Sequence, residues 1–180
     1  MQVITKRKFK RYDQTMVNAK GAIRALLGAA HSDVEAFFEI IDNAISANAS
    51  KVAIFCKGLT GDHQKMDLIV VADNGKGMTA EELNDAIKMA HNNSNRLDTH
   101  MSHYGVGLKT AGWTLGNVLI VVSRDAQGNV SYTNLNRTTI LDGTGRYVSP
   151  LEEAPVDAHS LWNEYAIDKD DTGTLVVIRE

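Results

Sequence analysis

Asp73-Asn74-Gly75-Lys76-Gly77-Met78 is the stretch on which the fold turns: it follows the apolar run Leu68-Ile69-Val70-Val71-Ala72 and precedes a helix start at Thr79. The apolar run reads as a buried strand. A buried strand that ends on a carboxylate and then turns through two glycines sets an acceptor on the floor of a cavity, with bare backbone beside it. Taken alone, Asp-Asn-Gly is also an ordinary strand-to-helix turn with Asp73 as a local cap. The segments on either side decide between the two.

Upstream, Ser32-Asp33-Val34-Glu35 has the Ser-x-x-Glu form of a capping box, which predicts a helix from near Ser32 to about Ala47. At about 100° per residue, Val34, Phe37, Phe38, Ile41 and Ile45 cluster on one side, expected to face the core, and Glu39, Asn43 and Ser46 share the other. A carboxylate and a carboxamide one turn apart can face one ligand, although Glu-Asn at this spacing is also an ordinary exposed pair. Downstream, Tyr104-Gly105-Val106-Gly107-Leu108-Lys109-Thr110 leads into a predicted helix over Leu108–Leu115. Small residues at a helix start expose backbone N–H groups to an anion, which makes a phosphate cradle. The third glycine and strand context of a dinucleotide fingerprint are missing, and so is the eight-residue Walker pattern.

Between and beyond these segments, Val52–Cys56 and Met66–Ala72 read as strands joined through Gly58–His63. Thr79-Ala80-Glu81-Glu82 is a second capping box, opening a helix to about Ala90. His91–His100 lacks periodicity and reads as a mobile lid loop; its histidines, with His103, are weak evidence for a metal. Asn117–Arg124 and Val130–Asn136 form a hairpin, and Thr172–Ile178 is a final buried strand. In Thr138–Asp171 the glycines and prolines break any long element, and Trp162 and Tyr165 are assigned only packing.

A chain of 180 residues with 43% hydrophobic content holds one well-buried core, and a net charge of -3 gives no overall basic field. Any nucleic-acid contact is therefore local. Lys6, Arg7, Lys8, Lys10 and Arg11, interleaved with Phe9 and Tyr12, could hold phosphate backbone or brace a partner subunit, or form a solvated arm. Met16–Ala30 reads as a short helix with Gly28 as its stop. The single cysteine, Cys56, lies in an apolar run and is expected to be a small core filler. No run approaches the roughly twenty apolar residues of a membrane span and no apolar signal core opens the chain, so a cytoplasmic or nuclear location is expected.

Glu39-Ile40-Ile41-Asp42-Asn43-Ala44, Asp73–Met78, Tyr104–Thr110 and Gly173-Thr174, in this order and spacing, resemble the four boxes of the GHKL ATPases, over roughly Ser32 to Ile178. The resemblance implies a Bergerat fold: a two-layer α/β sandwich of a mixed, mainly antiparallel sheet with helices on one face and ATP between helices and lid. It divides the chain into an arm and short helix (1–31) and an ATP-binding domain (32–180). It implies that Glu39 polarises the attacking water, Asn43 coordinates Mg²⁺, Asp73 accepts from the adenine 6-amino group, and Gly75, Gly77 and Met78 flank the base. Asn92 is among the nucleotide-binding residues, Gly105, Val106, Gly107, Leu108 and Lys109 form the phosphate-binding box, Lys109 sharing the catalytic role with Glu39, and Thr174 helps bridge the adenine through water. A buried acceptor aimed at an amine discriminates against guanine, whose carbonyl would face it with a second acceptor.

The wording Tyr-Gly-x-Gly-Leu-Lys-Thr-Ala is most similar to MORC-type and related prokaryotic members. That likeness implies lid closure and an ATP-dependent homodimer, in a DNA-associated or defence assembly. One departure is Ser46, where many members have Asp. Two alternatives stand beside the ATPase reading: a nucleotide-sensing module without turnover, and a histidine-kinase-type catalytic domain. The family's hydrolysing members generally complete the site with a Lys from a second domain, so slow hydrolysis by these 180 residues is expected.

Overall fold

Ser32 begins the first helix as its sequence requires. In the computed structural model, which describes residues 21, 24, 32–58, 66–87, 107–143 and 156–180, the Ser32 hydroxyl accepts from the Glu35 N–H at 3.3 Å and the Glu35 carboxylate accepts from the Ser32 N–H at 2.8 Å. This reciprocal pair satisfies two donors that a helix start leaves open. The helix, α1, runs Asp33–Ser46. There follow β1 (Val52–Lys57), β2 (Leu68–Asp73), α2 (Ala80–Ile87), α3 (Gly107–Leu115), β3 (Val118–Arg124), β4 (Val130–Asn136), α4 (Arg137–Asp142), α5 (Val156–Tyr165) and β5 (Gly173–Arg179). The second expected box also forms, with Thr79 N–H on the Glu82 carboxylate at 2.9 Å and Glu82 N–H on the Thr79 hydroxyl at 3.2 Å.

The strands make one sheet in the order β1-β2-β5-β3-β4, with every neighbouring pair antiparallel. The last described strand is therefore the central one. Side chains alternate across a sheet, so β2, β3 and β5 each contribute to two cores. One face carries Ile69, Val71, Leu119, Val121, Val176 and Ile178 and is covered by Ala36 and Ile40 of α1, Leu83 and Ile87 of α2, Ala111, Trp113 and Leu115 of α3, and Ile140 of α4. The other carries Val70, Ala72, Ile120, Val122, Leu175 and Val177 under Ala158, Leu161, Trp162 and Tyr165 of α5. The buried indole N–H groups both find carbonyls, Trp113 on Leu135 at 3.3 Å and Trp162 on Lys169 at 3.0 Å. The site helices thus share one face as expected, and α5 covers the reverse face.

Two expectations about burial are corrected. On α1 the core face is Ala36, Ile40 and Ala44, with Phe37 packed beside them, whereas Val34, Phe38 and Ile45 are exposed. The helix carries two apolar stripes, and the one with small residues is inward because alanines let the backbone approach the sheet and α3 closely. Cys56 is exposed, because β1 is an edge strand. Thr138–Asp171 is also more regular than its punctuation suggests, since α4 and α5 both form there. Among the described residues no helix is long and apolar enough to cross a membrane.

Candidate functional site

Antiparallel pairing places Asp73 opposite Thr174, and Thr174 opposite Ser123, so three polar side chains stand abreast on β2, β5 and β3. They continue the rows Ile69-Val71, Val176-Ile178 and Leu119-Val121, and so lie on the sheet face that α1 and α3 cover. All three are buried. The Asp73 carboxylate accepts from the Gly75 N–H at 2.8 Å. Burial pushes its pKa above the ordinary carboxylate value, and the backbone N–H groups of Gly75 and Thr174 pull the other way. A buried carboxylate oriented by backbone N–H groups is an acceptor placed for an amine.

Ser123 holds this floor together. Its hydroxyl accepts from the Met78 N–H at 2.8 Å, donates to the Gly173 carbonyl at 2.9 Å and lies 3.0 Å from the Thr174 hydroxyl. The loop after β2 is fixed at three more points. The Asn74 carboxamide accepts from the N–H groups of Ser50 and Lys51 at 3.0 and 2.8 Å and donates to the Ser50 hydroxyl at 2.9 Å. Lys76 N–H reaches the Ala47 carbonyl at 3.0 Å, and the Thr172 hydroxyl donates to the Gly75 carbonyl at 2.7 Å. Gly77 takes φ +65°, with the Arg124 carbonyl where a Cβ would go, so two constraints demand glycine there. Met78 packs on the edge of the core under α1 and α3.

On α1, Glu39 and Asn43 are half-buried one turn apart. The Asn43 Nδ2 donates to the Glu39 carbonyl at 2.8 Å, which leaves Oδ1 without a partner among the described residues. A neutral amide oxygen held in this way suits a hard cation such as Mg²⁺. The Glu39 carboxylate lies against Gly107, the first residue of α3, so closely that a Cβ on Gly107 would stand 2.6 Å from its carboxyl carbon. A potential proton acceptor therefore sits at the positive end of a helix, where anions bind. Ser46 is exposed in the last turn of α1.

Lys109 stands in the first turn of α3 with its side chain turned to α2. Its side chain is wholly buried, and its ammonium donates to the Ala86 carbonyl near the end of α2 at 3.0 Å. Burial lowers its pKa from 10.5 to about 8. Leu108 packs against the core, and the Thr110 hydroxyl bonds back to the Gly107 carbonyl at 2.9 Å. Asn92, Gly105 and Val106, the basic run Lys6–Tyr12, and His91, His100 and His103 lie outside the described residues.

The structure thus brings Asp73, Gly75, Gly77, Met78 and Thr174 to one end of the sheet, and Glu39, Asn43 and Gly107 to the junction of α1 and α3. The sequence reading missed Ser123, Thr172 and Asn74. Asn74 carries a usable signal, because Asx residues in turns bond nearby backbone. Ser123 carries none by itself, since it becomes a site residue only through its register with Thr174.

No curated protein matches the chain. A family model described as histidine kinase-, DNA gyrase B- and HSP90-like ATPase matches residues 31–174, most of the chain and every described site segment from α1 to Thr174. With the sheet, the covering helices and this match in agreement, the chain belongs to the family of histidine kinase-, DNA gyrase B- and HSP90-like ATPases, and is an ATP-binding domain of the Bergerat fold.

Proposed function

We propose that the domain binds ATP with adenine at Asp73 and the phosphates at the head of α3, and hydrolyses it slowly. The observation that carries this reading is the Glu39 carboxylate lying against Gly107. At that position Glu39 is the general base: it takes a proton from water as the water oxygen bonds the γ-phosphorus and ADP leaves. The N–H groups that open α3 hold the charge that develops on the phosphoryl oxygens. Asn43 would hold Mg²⁺, which when bound neutralises phosphate charge. Asp73 and Thr174 fix the base, and Ser123 holds Thr174 and the Met78 backbone in place.

The test is Glu39→Ala measured for binding and turnover separately. ATP affinity is retained and turnover falls by about 10²–10⁴, the usual worth of general-base catalysis. Parental turnover in Glu39→Ala would make the nucleotide-sensing reading the better one, which the exposed Ser46, in place of the family's carboxylate, otherwise supports. The MORC-type wording of Tyr104–Ala111 supports a finer reading, in which ATP closes the 91–100 loop and pairs two copies through the basic Lys6–Tyr12 arm. Light scattering with a non-hydrolysable ATP analogue tests it: a mass that stays monomeric rejects the pairing.

A further inference from the structure

Helix α3 has no basic residue in its own last turn, and the final carbonyls of a helix need donors from outside its regular ladder. The Gly112 carbonyl finds one in the Gly116 N–H at 3.0 Å. The Trp113 carbonyl finds one in Arg137, the first residue of α4, whose Nη1 donates to it at 2.8 Å. The other prong of the same guanidinium, Nη2, donates to the Asn117 Oδ1, and the Arg137 N–H donates to the Asn117 carbonyl at 2.9 Å. One residue therefore closes the corner at which α3 turns into β3.

That corner is tied to the sheet as well. The Asn117 N–H donates to the carbonyl of Arg179, the last residue of β5, at 2.8 Å. The arm that carries the guanidinium is itself fixed, because Arg137 directly follows β4 and the Asn136 carboxamide caps α4 by accepting from the Thr139 N–H at 3.2 Å. A planar fork on two acceptors sets direction as well as distance, which a single ammonium does not.

A helix carries such a constraint to its far end. Helix α3 has nine residues and is about 13 Å long, so a tilt or slip at Trp113 reappears at Gly107, beside the Glu39 carboxylate. The row Asp73-Thr174-Ser123 is spared, because Thr174 and Arg179 stand at opposite ends of β5, about 17 Å apart. Resting on the reading above that the phosphates lie at the head of α3, we propose that Arg137 is a positioning residue for them. It does not touch the nucleotide; by fixing the rear of α3 it sets where the helix head meets the phosphates, and it leaves the adenine end alone.

The experiment titrates the full chain with adenosine, ADP and ATP. In the parental chain ADP should bind more tightly than adenosine; equal affinities would overturn the placement of the phosphates, and this proposal with it, before any variant is made. Given that preference, Arg137→Met should weaken ADP and ATP by at least about tenfold, the scale of one hydrogen bond to a charged group, and leave adenosine within about twofold. The readout is the ratio between ligands, which a general loss of stability in a folded chain does not move. Equal losses for all three ligands would make Arg137 a stabilising residue only and overturn the proposal, and so would three unchanged affinities. Should Arg137→Met fail to fold, Arg137→Lys, which keeps a donor for the Trp113 carbonyl but cannot span both acceptors, is judged by the same ratio.

Discussion

Replacing Gly107 by alanine would put a methyl group where the Glu39 carboxylate now lies. The new Cβ would stand 2.6 Å from the Glu39 carboxyl carbon and 3.1 Å from its Cγ, against an ordinary contact of 3.4 Å or more. The carboxylate must therefore retreat by about 0.8 Å or more, since carbon pairs prefer roughly 3.5–4 Å. Glu39 is the far end of a flexible side chain, so the retreat is cheap, and alanine at the first turn of a helix is no worse than glycine. Stability should then change by less than about 1 kcal/mol. Turnover should not be spared, because a displacement of about 1 Å in a reacting group costs on the order of 10² in rate. The assay is single-turnover ATP hydrolysis with enzyme in excess, beside a thermal melt and calorimetric ATP binding. A double-mutant cycle isolates the cause: in a Glu39→Ala background, Gly107→Ala should have almost no further effect. A folded Gly107→Ala protein with parental turnover would refute the reasoning, and so would two losses that simply multiply.

Asp73→Asn should weaken ATP binding by roughly 1.5–3 kcal/mol, the scale of a hydrogen bond to a charged group, and calorimetry on the folded variant decides it. Ser123→Ala leaves the Met78 N–H without its acceptor and should cost about 1–3 kcal/mol in a denaturant melt, with weaker ATP binding as the loop loosens. Gly77→Ala meets both a positive φ and the Arg124 carbonyl, whose carbon would be 2.8 Å from the new Cβ, so it should destabilise by more than about 1 kcal/mol. For Lys109, with its pKa lowered from 10.5 to about 8 in the fold, the unfolded chain holds the extra proton between those values. Its contribution to stability is thus least below pH 8 and grows as pH rises toward 10.5, by up to about 3 kcal/mol. Comparing denaturant midpoints over that range with Lys109→Met, which should lose that share of the slope, checks the sign.

What the sequence made legible was local. The two capping boxes, the carboxylate at the end of β2 and the Glu39-Asn43 pair each rest on residues within one turn or one strand, and all appear in the structure at their expected places. Side-chain size misled on α1: Phe38 and Ile45 outweigh Ala36 and Ala44 in any count of hydrophobicity, yet close packing favours the small residues. Ser123 was illegible because its meaning comes from a strand fifty residues away. Helix α5 hid among glycines and prolines and is only ten residues long, too short for its period to stand out.

The central position of β5 bears on how the protein is made. Strands β2 and β3 do not touch; each pairs with β5, which joins the halves of the sheet from Gly173 to Arg179. During synthesis the chain can form its N-terminal helix and its outer hairpins early, but no continuous sheet exists until that strand leaves the ribosome and inserts. Such late, sequence-distant pairing makes for slow folding and a long exposure of open strand edges. Thr174 arrives on the same strand, so the polar row Asp73-Thr174-Ser123 is complete only once β5 has inserted. A ligand that needs that row can therefore stabilise only a chain synthesised past β5.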